Sequence, residues 1–297
     1  MNDFQPVGLQ HKALFDACFA WEGTESSTDS FGNVFLWDIL CRRNVARLGD
    51  RLGVEYLCPR GIFYAYPAGR GDLAAAVETL RQRAGEQGVK LRLHCVTESQ
   101  RRELEAALPG CFDFTEDRDS FDYLYSLEAM SSLAGKKLHG KRNFCNRFEA
   151  AHAWRFEDLS PAHFDACRTL LRIWDNEKQG GNTEENQAIE KAFRCWESLG
   201  MSGGVLYAEE EPMAFTIGEQ ISPTVVDVHF EKARDDVPGA YPMVAREYAR
   251  RLRSRQPELQ FLNREEDMGI PNLRRAKEEW YPAYLLQKFT AQWRAES

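Results

Sequence analysis

The sequence has no apolar run that approaches the ~20 residues needed for a membrane-spanning helix. Its first ten residues, MNDFQPVGLQ, lack the basic and then apolar regions of a secretory signal peptide. We therefore expect no membrane span, and any contact with a membrane is expected to be peripheral. Positive charge is also scarce, because the formal net charge is −8 and the isoelectric point is about 5.4. This balance argues against a protein that coats nucleic acid, which usually carries a basic surface.

Closely spaced cysteines are also absent. None of the 8 cysteines forms a C-x-x-C pair, so zinc and redox motifs have no support and we assign no metal ligands. In a chain of this length, scattered cysteines predict reduced, mostly buried thiols and a cytoplasmic protein.

The chain has 297 residues, 43% of them hydrophobic, which is enough for a sizeable core and suggests two domains. Hydrophobic periodicity predicts an α/β protein with mixed sheets, and both halves end in the order β-β-β-α-β-α-β. The residues themselves do not repeat, but the matching order predicts two tandem domains, 1–130 and 131–297. The segment SLEAMSSLAG, Ser126 to Gly135, is the predicted linker.

Positive charge is concentrated in the stretch LAGKKLHGKRNFCNRFEA, which carries five basic residues and one glutamate. A helix that begins near Lys136 would place Lys137 and Lys141 in its first turns, on the apolar side. The helix dipole disfavours cations there. Two interpretations remain open: an anionic, phosphate-bearing ligand bound at the helix N-terminus, or lysine stems that cover the edge of the core.

The apolar stripe and the helix dipole also indicate roles for three arginines. Arg142 and Arg147 lie outside the apolar stripe of this helix and are predicted to be surface charges. Arg274 lies in the first turn of a later helix that begins near Pro271, where it again opposes the helix dipole. We therefore expect Arg274 to contact phosphates of a substrate.

The segment TVVDVHFEKA alternates apolar and polar residues, so one strand face is apolar and the other carries Asp227, His229 and Glu231. A neighbouring carboxylate raises the pKa of a histidine and orients its ring, which suits general-base catalysis on an amine or hydroxyl. The other interpretation, a polar strand face turned to water, remains open.

Polar residues also follow the predicted strand LQFLN. Asn263 and Glu265 would share one side of the chain, with Arg264 on the other. Ligands of open α/β sheets bind beyond the carboxyl ends of strands. This predicts a catalytic Glu265 and substrate-binding Asn263 and Arg264, although a charged loop would show the same pattern.

The turn RDDVPGA joins a strand to a helix through two small residues, Gly239 and Ala240. Small residues let backbone N–H groups approach a phosphate. Glycine is common in strand–helix turns of every kind, so this pattern alone is weak.

The second half resembles the GCN5-related N-acyltransferase (GNAT) fold, with a hairpin GGVLYAEEEPMAFTIGE, a central strand VVDVHFEKA, and then a turn and a helix. In that family the turn binds pyrophosphate, which implies cofactor-binding roles for Arg234, Gly239 and Ala240. This chain keeps the arginine and the closing Gly-Ala but departs from the family's spacing. A late helix of the family often supplies a tyrosine as general acid, a place for which Trp280 and Tyr281 compete. We assign that role to Tyr281.

Several segments together resemble a bacterial family of paired GNAT-like domains related to the C-terminal domain of phosphatidylglycerol lysyltransferases. They are SFGNVFLWD, LAGKKLHGKRN, MAFTIGE, VHFEKA, GAYPMVAREYA, LNREEDMGIPNLRRAK and YPAYLLQKF. The resemblance implies two tandem GNAT-like domains. In those relatives the domain moves an aminoacyl group from a charged tRNA to a lipid head group.

Together, the residues and the resemblance predict an acyl- or aminoacyl-transferase. The donor would be aminoacyl-tRNA or acyl-CoA, and an amine or hydroxyl would accept the acyl group. His229 or Glu231 would take the proton, Glu265 is a further catalytic candidate, and the first domain would be non-catalytic. Two alternatives remain open. One is a non-catalytic module that binds tRNA, a nucleotide or an anionic head group, and the other is a CoA-dependent N-acetyltransferase.

Overall fold

A computed structural model describes residues 3–177 and 183–294 of the chain. The strands, in chain order, are β1 (Gln5–Pro6), β2 (Arg42–Leu48), β3 (Arg51–Cys58), β4 (Gly61–Tyr64), β5 (Arg92–Thr97), β6 (Phe112–Glu116), β7 (Asp122–Ser126), β8 (Trp154–Asp158), β9 (Met201–Ala208), β10 (Glu211–Ser222), β11 (Val225–Ala233), β12 (Phe261–Asn263), β13 (Tyr284–Leu286) and β14 (Lys288–Trp293). The α-helices are α1 (Lys12–Glu22), α2 (Phe31–Leu36), α3 (Leu73–Glu86), α4 (Glu98–Ala107), α5 (Leu127–Ser132), α6 (His139–Ala151), α7 (Phe164–Glu177), α8 (Thr183–Arg194), α9 (Trp196–Leu199), α10 (Ala240–Arg255) and α11 (Pro271–Glu278).

The chain divides into two compact units, and both are discontinuous in sequence. Unit 1 comprises Met1–Asp122, Glu266–Pro271 and Leu285–Ser297, and unit 2 comprises Tyr123–Glu265 and Asn272–Tyr284. A single boundary at 130/131, as expected from the sequence, does not describe this division.

The sheet of unit 1 has the strand order β1-β2-β3-β4-β5-β14-β6. Its pairings are antiparallel except for β4 and β5, which are parallel and are connected through α3. Strand β14, which sequence reasoning placed at the end of the second domain, pairs with β5 and β6 instead. The sequence pattern also did not indicate β6, so it could not predict that β14 lies between β5 and β6.

The second sheet has the order β13-β7-β12-β11-β10-β9-β8. Strands β9, β10 and β11 form an antiparallel meander, and β11 and β12 are parallel and connected through α10. Strand β7 pairs with β12, although the sequence placed it at the end of the first domain. The parallel register of Asp227 with Asn263 determines which residues of β11 lie beside the carboxyl end of β12.

The segment Ser126–Gly135, expected to be a linker, contains helix α5 instead. Ser126 caps this helix by accepting a hydrogen bond from the backbone N–H of Ala129 at 3.3 Å. Leu127 and Met130 are buried, and the helix packs against α10. This buried apolar surface makes the segment part of the core of unit 2.

Two of the cysteines form a disulfide, Cys41 with Cys58, which corrects the expectation that all eight are reduced. The register of β2 with β3, in which Arg42 lies opposite Leu57, places the two cysteines opposite each other at the strand ends. Their Cα atoms are 4.5 Å apart, the usual separation of a non-hydrogen-bonded antiparallel pair.

The insertion of β14 places a lysine in the core of unit 1. Lys288 is fully buried, and its Nζ lies 2.7 Å from Oδ1 of Asp122, which is also fully buried. Oδ1 of Asp122 accepts a further hydrogen bond from Oγ of Ser27 at 2.8 Å, and Oδ2 accepts one from the Ser27 backbone N–H at 2.8 Å. Burial of a charge is costly unless it is paired, so this arrangement holds β14 in one position.

We expect Lys288→Met to destabilise the protein by about 3–5 kcal/mol, because it leaves the Asp122 carboxylate buried without its cation. Urea unfolding monitored by circular dichroism would measure the change. Lys90→Met, at an exposed lysine, is the matched control and should cost less than about 0.5 kcal/mol. Equal stabilities of the two variants would contradict this role for Lys288.

Candidate functional site

The polar residues of β11 lie inside unit 2. Ile217 pairs with Phe230 and Gly218 with Val228, so His229 is an additional residue that forms a β-bulge. The side chains of Asp227 and His229 are fully buried. A polar strand face turned to water, one of the two interpretations of this segment, is therefore wrong.

The imidazole of His229 lies among three carboxylates. Its Nδ1 is 3.2 Å from Oε1 of Glu265 and 3.4 Å from Oδ2 of Asp227, while its Nε2 is 3.3 Å from Oε2 of Glu219. We call these four residues the His229 cluster. Glu265 is 18% exposed and reaches the solvent, whereas the other members are buried.

Burial by itself would lower the pKa of His229. The nearby Asp227 charge and the contacts with Glu219 and Glu265 outweigh this effect and raise the pKa well above its ordinary value. The imidazole is thus held between carboxylates in its charged form. Both ring nitrogens face carboxylate oxygens, so the ring orients the carboxylates around it.

Glu231 lies in the same strand but has a different partner. Its Oε1 accepts a hydrogen bond from Nη2 of Arg264 at 2.6 Å. Burial raises the pKa of Glu231, and the charges of Arg264 and Lys277 offset this only in part. The Arg264 guanidinium also lies 5.4 Å from the ring centroid of Trp280. The sequence therefore predicted Glu231 and Arg264 separately, and the structure pairs them.

Asn263 positions the loop that carries Glu265. Its Oδ1 accepts a hydrogen bond from the backbone N–H of Glu265 at 2.7 Å, and Glu265 has a φ of +55°. Asn263 is fully buried, so its contacts fit a positioning role better than the predicted substrate-binding one. Lys277 stabilises the same loop by donating hydrogen bonds to the carbonyl oxygens of Arg264 and Glu265.

Sequence reasoning missed Glu219 and Lys277. Glu219 pairs with Asp227 across the β10–β11 hairpin, whose tight turn at Pro223 and Thr224 places Ser222 opposite Val225. Counting back from that turn would have placed Gln220 opposite Asp227, because an irregularity between Gln220 and Ser222 shifts the register by one residue. The sequence alone therefore could not indicate Glu219. No local signal indicates Lys277, whose contacts depend on the packing of α11.

Cations and aromatic rings form a second feature of unit 2, which we call the basic–aromatic surface. Nζ of Lys137 lies 5.5 Å from the ring centroid of Tyr281, and Nζ of Lys141 lies 5.1 Å from that of Trp280. Helix α6 begins at His139, so Lys137 precedes the helix and Lys141 lies in its first turn. Trp280 is buried, whereas Tyr281 is half-exposed and is therefore the one of the two that a ligand can reach.

Of the arginines whose positions were predicted from the sequence, one differs from the prediction. Arg142 donates hydrogen bonds to the carbonyl oxygens of Leu133 at 2.5 Å and Gly135 at 3.3 Å, so it is not a plain surface charge. Arg147 is exposed and stacks on the ring of Phe144. Arg274 is half-buried in the first turn of α11.

The turn before α10 is closed by its own contacts. The guanidinium of Arg234 donates hydrogen bonds to Asp236 at 3.0 and 2.7 Å. The backbone N–H of Val237 donates to the carbonyl of Arg234 at 3.4 Å, and that of Ala240 donates to the carbonyl of Val237 at 3.2 Å. A Cβ atom at Gly239 would lie 2.7 Å from the carbonyl oxygen of Phe144 in α6. A phosphate at this turn would have to displace these contacts.

Comparisons with known proteins agree with this architecture. The family model described as "Phosphatidylglycerol lysyltransferase, C-terminal" matches residues 22–292. The chain belongs to this family. A conserved protein of unknown function from Bacteroides thetaiotaomicron is 31% identical and superposes with a TM-score of 0.91, covering 99% of this chain and 100% of its own. No curated protein is significantly similar.

Two more distant structures establish the fold. The C-terminal domain of a putative lysylphosphatidylglycerol synthetase from Agrobacterium fabrum is 14% identical with a TM-score of 0.70, covering 97% of this chain and 93% of its own. A tandem GNAT protein from the clavulanic acid biosynthesis pathway is 10% identical with a TM-score of 0.52, covering 100% of both chains. The family member described here therefore has two mixed α/β sheets in paired GNAT-like domains, as the sequence predicted.

Family membership supports a transferase-like role. Among the described residues, no helix has the length and apolar character that a membrane crossing requires.

We expect Gly239→Ala to destabilise the protein by about 1–3 kcal/mol. Its φ is +100°, and the added Cβ would meet the Phe144 carbonyl. Gly140→Ala, in α6 with open space around it, is the matched control and should stabilise by about 0.5–1 kcal/mol. Thermal unfolding of both variants tests the close packing of the turn against α6, and a neutral Gly239→Ala would refute it.

Proposed function

We propose that this protein transfers an activated aminoacyl group from aminoacyl-tRNA to an amine or hydroxyl acceptor, with the reaction centre in unit 2. The carrying observation is the His229 cluster, in which a buried imidazole orients carboxylates and Glu265 reaches the solvent. A carboxylate held in this way suits the removal of a proton from an attacking group. The family description names phosphatidylglycerol and lysine, so these are the first acceptor and amino acid to test.

The proposed reaction assigns one step to each group. The acceptor oxygen or nitrogen attacks the acyl carbonyl carbon while Glu265 takes its proton. The ester bond to the tRNA ribose then breaks, and the ribose oxygen leaves with a proton that we assign to Tyr281. His229 is a positioning residue here, because both of its ring nitrogens face carboxylates. Glu231 holds Arg264 and is assigned no proton transfer.

The basic–aromatic surface supports a tRNA donor. Single-stranded nucleotides bind where aromatic rings stack on bases and cations contact phosphates. Lys137 and Lys141 supply the cations, and the half-exposed Tyr281 supplies an accessible ring, while the buried Trp280 packs near Lys141. The acidic net charge of the chain favours a confined contact of this kind over a long nucleic-acid interface.

The contacts of the turn at Arg234 weigh against acyl-CoA as the donor. GNAT-type pyrophosphate binding uses free backbone N–H groups at a helix N-terminus. Here the N–H groups of Val237 and Ala240 donate to carbonyls within the turn, and the Arg234 charge is paired with Asp236. The cofactor roles predicted for Arg234, Gly239 and Ala240 are therefore not part of this proposal.

The test is an assay with radiolabelled lysyl-tRNA and phosphatidylglycerol vesicles, and with other aminoacyl-tRNAs and small amines as alternative substrates. We expect Glu265→Gln to lower kcat by about 10²–10⁴-fold, because it removes the proton acceptor. Glu157→Gln, at a carboxylate of unit 2 that contacts Arg155 and His163, is the control and should leave kcat unchanged. Full activity of Glu265→Gln would disprove its assignment, and tRNA binding without turnover by the wild type would favour a non-catalytic binding module.

A second experiment tests the donor site. We expect the double variant Lys137→Ala, Lys141→Ala to raise the KM for aminoacyl-tRNA with little change in kcat, because these lysines bind the donor and take no part in proton transfer. The salt dependence of tRNA binding, measured by fluorescence anisotropy, should become shallower by about 1–2 in the log–log slope. Lys12→Ala, Lys90→Ala, at two lysines of unit 1, is the matched control. An equal effect in both double variants would contradict a specific donor surface.

A further inference from the structure

We infer that Asp227, His229 and Glu265 form a binding site for one divalent transition-metal cation, such as Mn²⁺ or Zn²⁺. One ligand atom from each residue lies within 4.8 Å of those of the other two. Nδ1 of His229 is 3.4 Å from Oδ2 of Asp227 and 3.2 Å from Oε1 of Glu265. Nothing in the sequence pattern indicated this site, because its three ligands come from two segments that are far apart in the chain.

The two separations from Nδ1 of His229 match the edges of a metal coordination sphere. Two ligands that lie about 2.1 Å from one ion and subtend about 90–110° are about 3.0–3.4 Å apart. Nδ1 of His229 lies 3.2 Å from the Glu265 oxygen and 3.4 Å from the Asp227 oxygen. An ion could therefore be bound by these atoms with small changes in side-chain position.

The far side of the imidazole supports the same conclusion. Nε2 of His229 lies 3.3 Å from Oε2 of Glu219. Histidines that bind metals usually donate their other ring N–H to a carboxylate, which fixes the tautomer with the lone pair toward the ion. In that tautomer the Nδ1 lone pair of His229 faces the negatively charged oxygens of Asp227 and Glu265, which repel it. A cation bound between these three atoms would be attracted to each of them.

The balance of charge in the His229 cluster also supports a bound cation. The His229 cluster contains three carboxylates, and its single imidazole supplies at most one positive charge. Excess negative charge is costly in a buried place, and the side chains of Asp227 and His229 have no solvent exposure. A divalent ion would add two positive charges among these carboxylates. It could enter on the side of Glu265, which is the solvent-accessible ligand.

The chemistry of the ligands selects the class of ion. Mg²⁺ and Ca²⁺ prefer sites made entirely of oxygen ligands. A set of one imidazole nitrogen and two carboxylate oxygens suits Mn²⁺ or Zn²⁺. Because ligands must be deprotonated to bind a metal, the ion would take the place of the proton on His229.

The experiment is a titration of chelator-treated protein with Mn²⁺, in which the electron paramagnetic resonance signal of the free ion reports binding. We expect one Mn²⁺ per chain, displaced by one equivalent of Zn²⁺. His229→Ala should raise the Kd at least about 10-fold, and Glu265→Gln should act in the same direction. Glu265→Gln changes a partly exposed side chain, so it provides the result if His229→Ala does not fold.

His163→Ala is the matched control. His163 also lies in unit 2, where its Nε2 is 2.9 Å from Oε2 of Glu157, so this variant removes another histidine–carboxylate pair. If the wild-type protein bound no Mn²⁺, the proposed site would be refuted. An equal loss of Mn²⁺ affinity in His163→Ala and His229→Ala would also refute it. The readout needs no acyl substrate and is therefore independent of the proposed transfer. Chelator-treated protein that transfers acyl groups but binds no Mn²⁺ would refute the metal site alone.

Discussion

The site of unit 2 depends on an ion-paired imidazole that is buried between strands. His229 contacts Glu219 from β10, Asp227 from its own strand and Glu265 beyond the end of β12. A buried charge is tolerated only with partners in good geometry, so these contacts require the antiparallel β10–β11 pair, the parallel β11–β12 pair and the bulge at His229 together. A shift of one residue in either pairing would separate the carboxylates from the ring.

Acidic and basic groups of unit 2 are separated in a way that suits a transfer reaction. The His229 cluster is acidic and mostly buried, whereas the basic–aromatic surface carries Lys137 and Lys141. Trp280 connects the two regions, because its ring lies 5.1 Å from Nζ of Lys141 and 5.4 Å from the Arg264 guanidinium. Arg264 in turn binds Glu231 of the central strand. A chain of contacts through Trp280 and Arg264 thus connects Lys141 with the strand that carries the cluster.

The sequence allowed several of these residues to be found, although not their partners. Alternation in β11 indicated His229, and the end of a strand indicated Glu265, but their contact became visible only through the parallel register of Asp227 with Asn263. The same limit applied to the domains. Local periodicity predicted a single strand over 284–293, which the structure divides into β13 of the second sheet and β14 of the first. It cannot show that β14 pairs with β5 and β6 of unit 1. Sheet partners depend on contacts between residues far apart in the chain, which leave no local pattern.

By itself the sequence determined the α/β class, most helices and strands, the absence of long apolar runs and the concentration of positive charge in α6 and just before it. These properties follow from residue types and their spacing over short distances. The tertiary structure alone decided that Glu219 joins His229, that Glu231 binds Arg264, that Lys288 is buried and that the turn at Gly239 is closed by α6. Each of these contacts depends on strand register or helix packing. They join separate segments of the chain, and no short stretch of sequence encodes which segments come together.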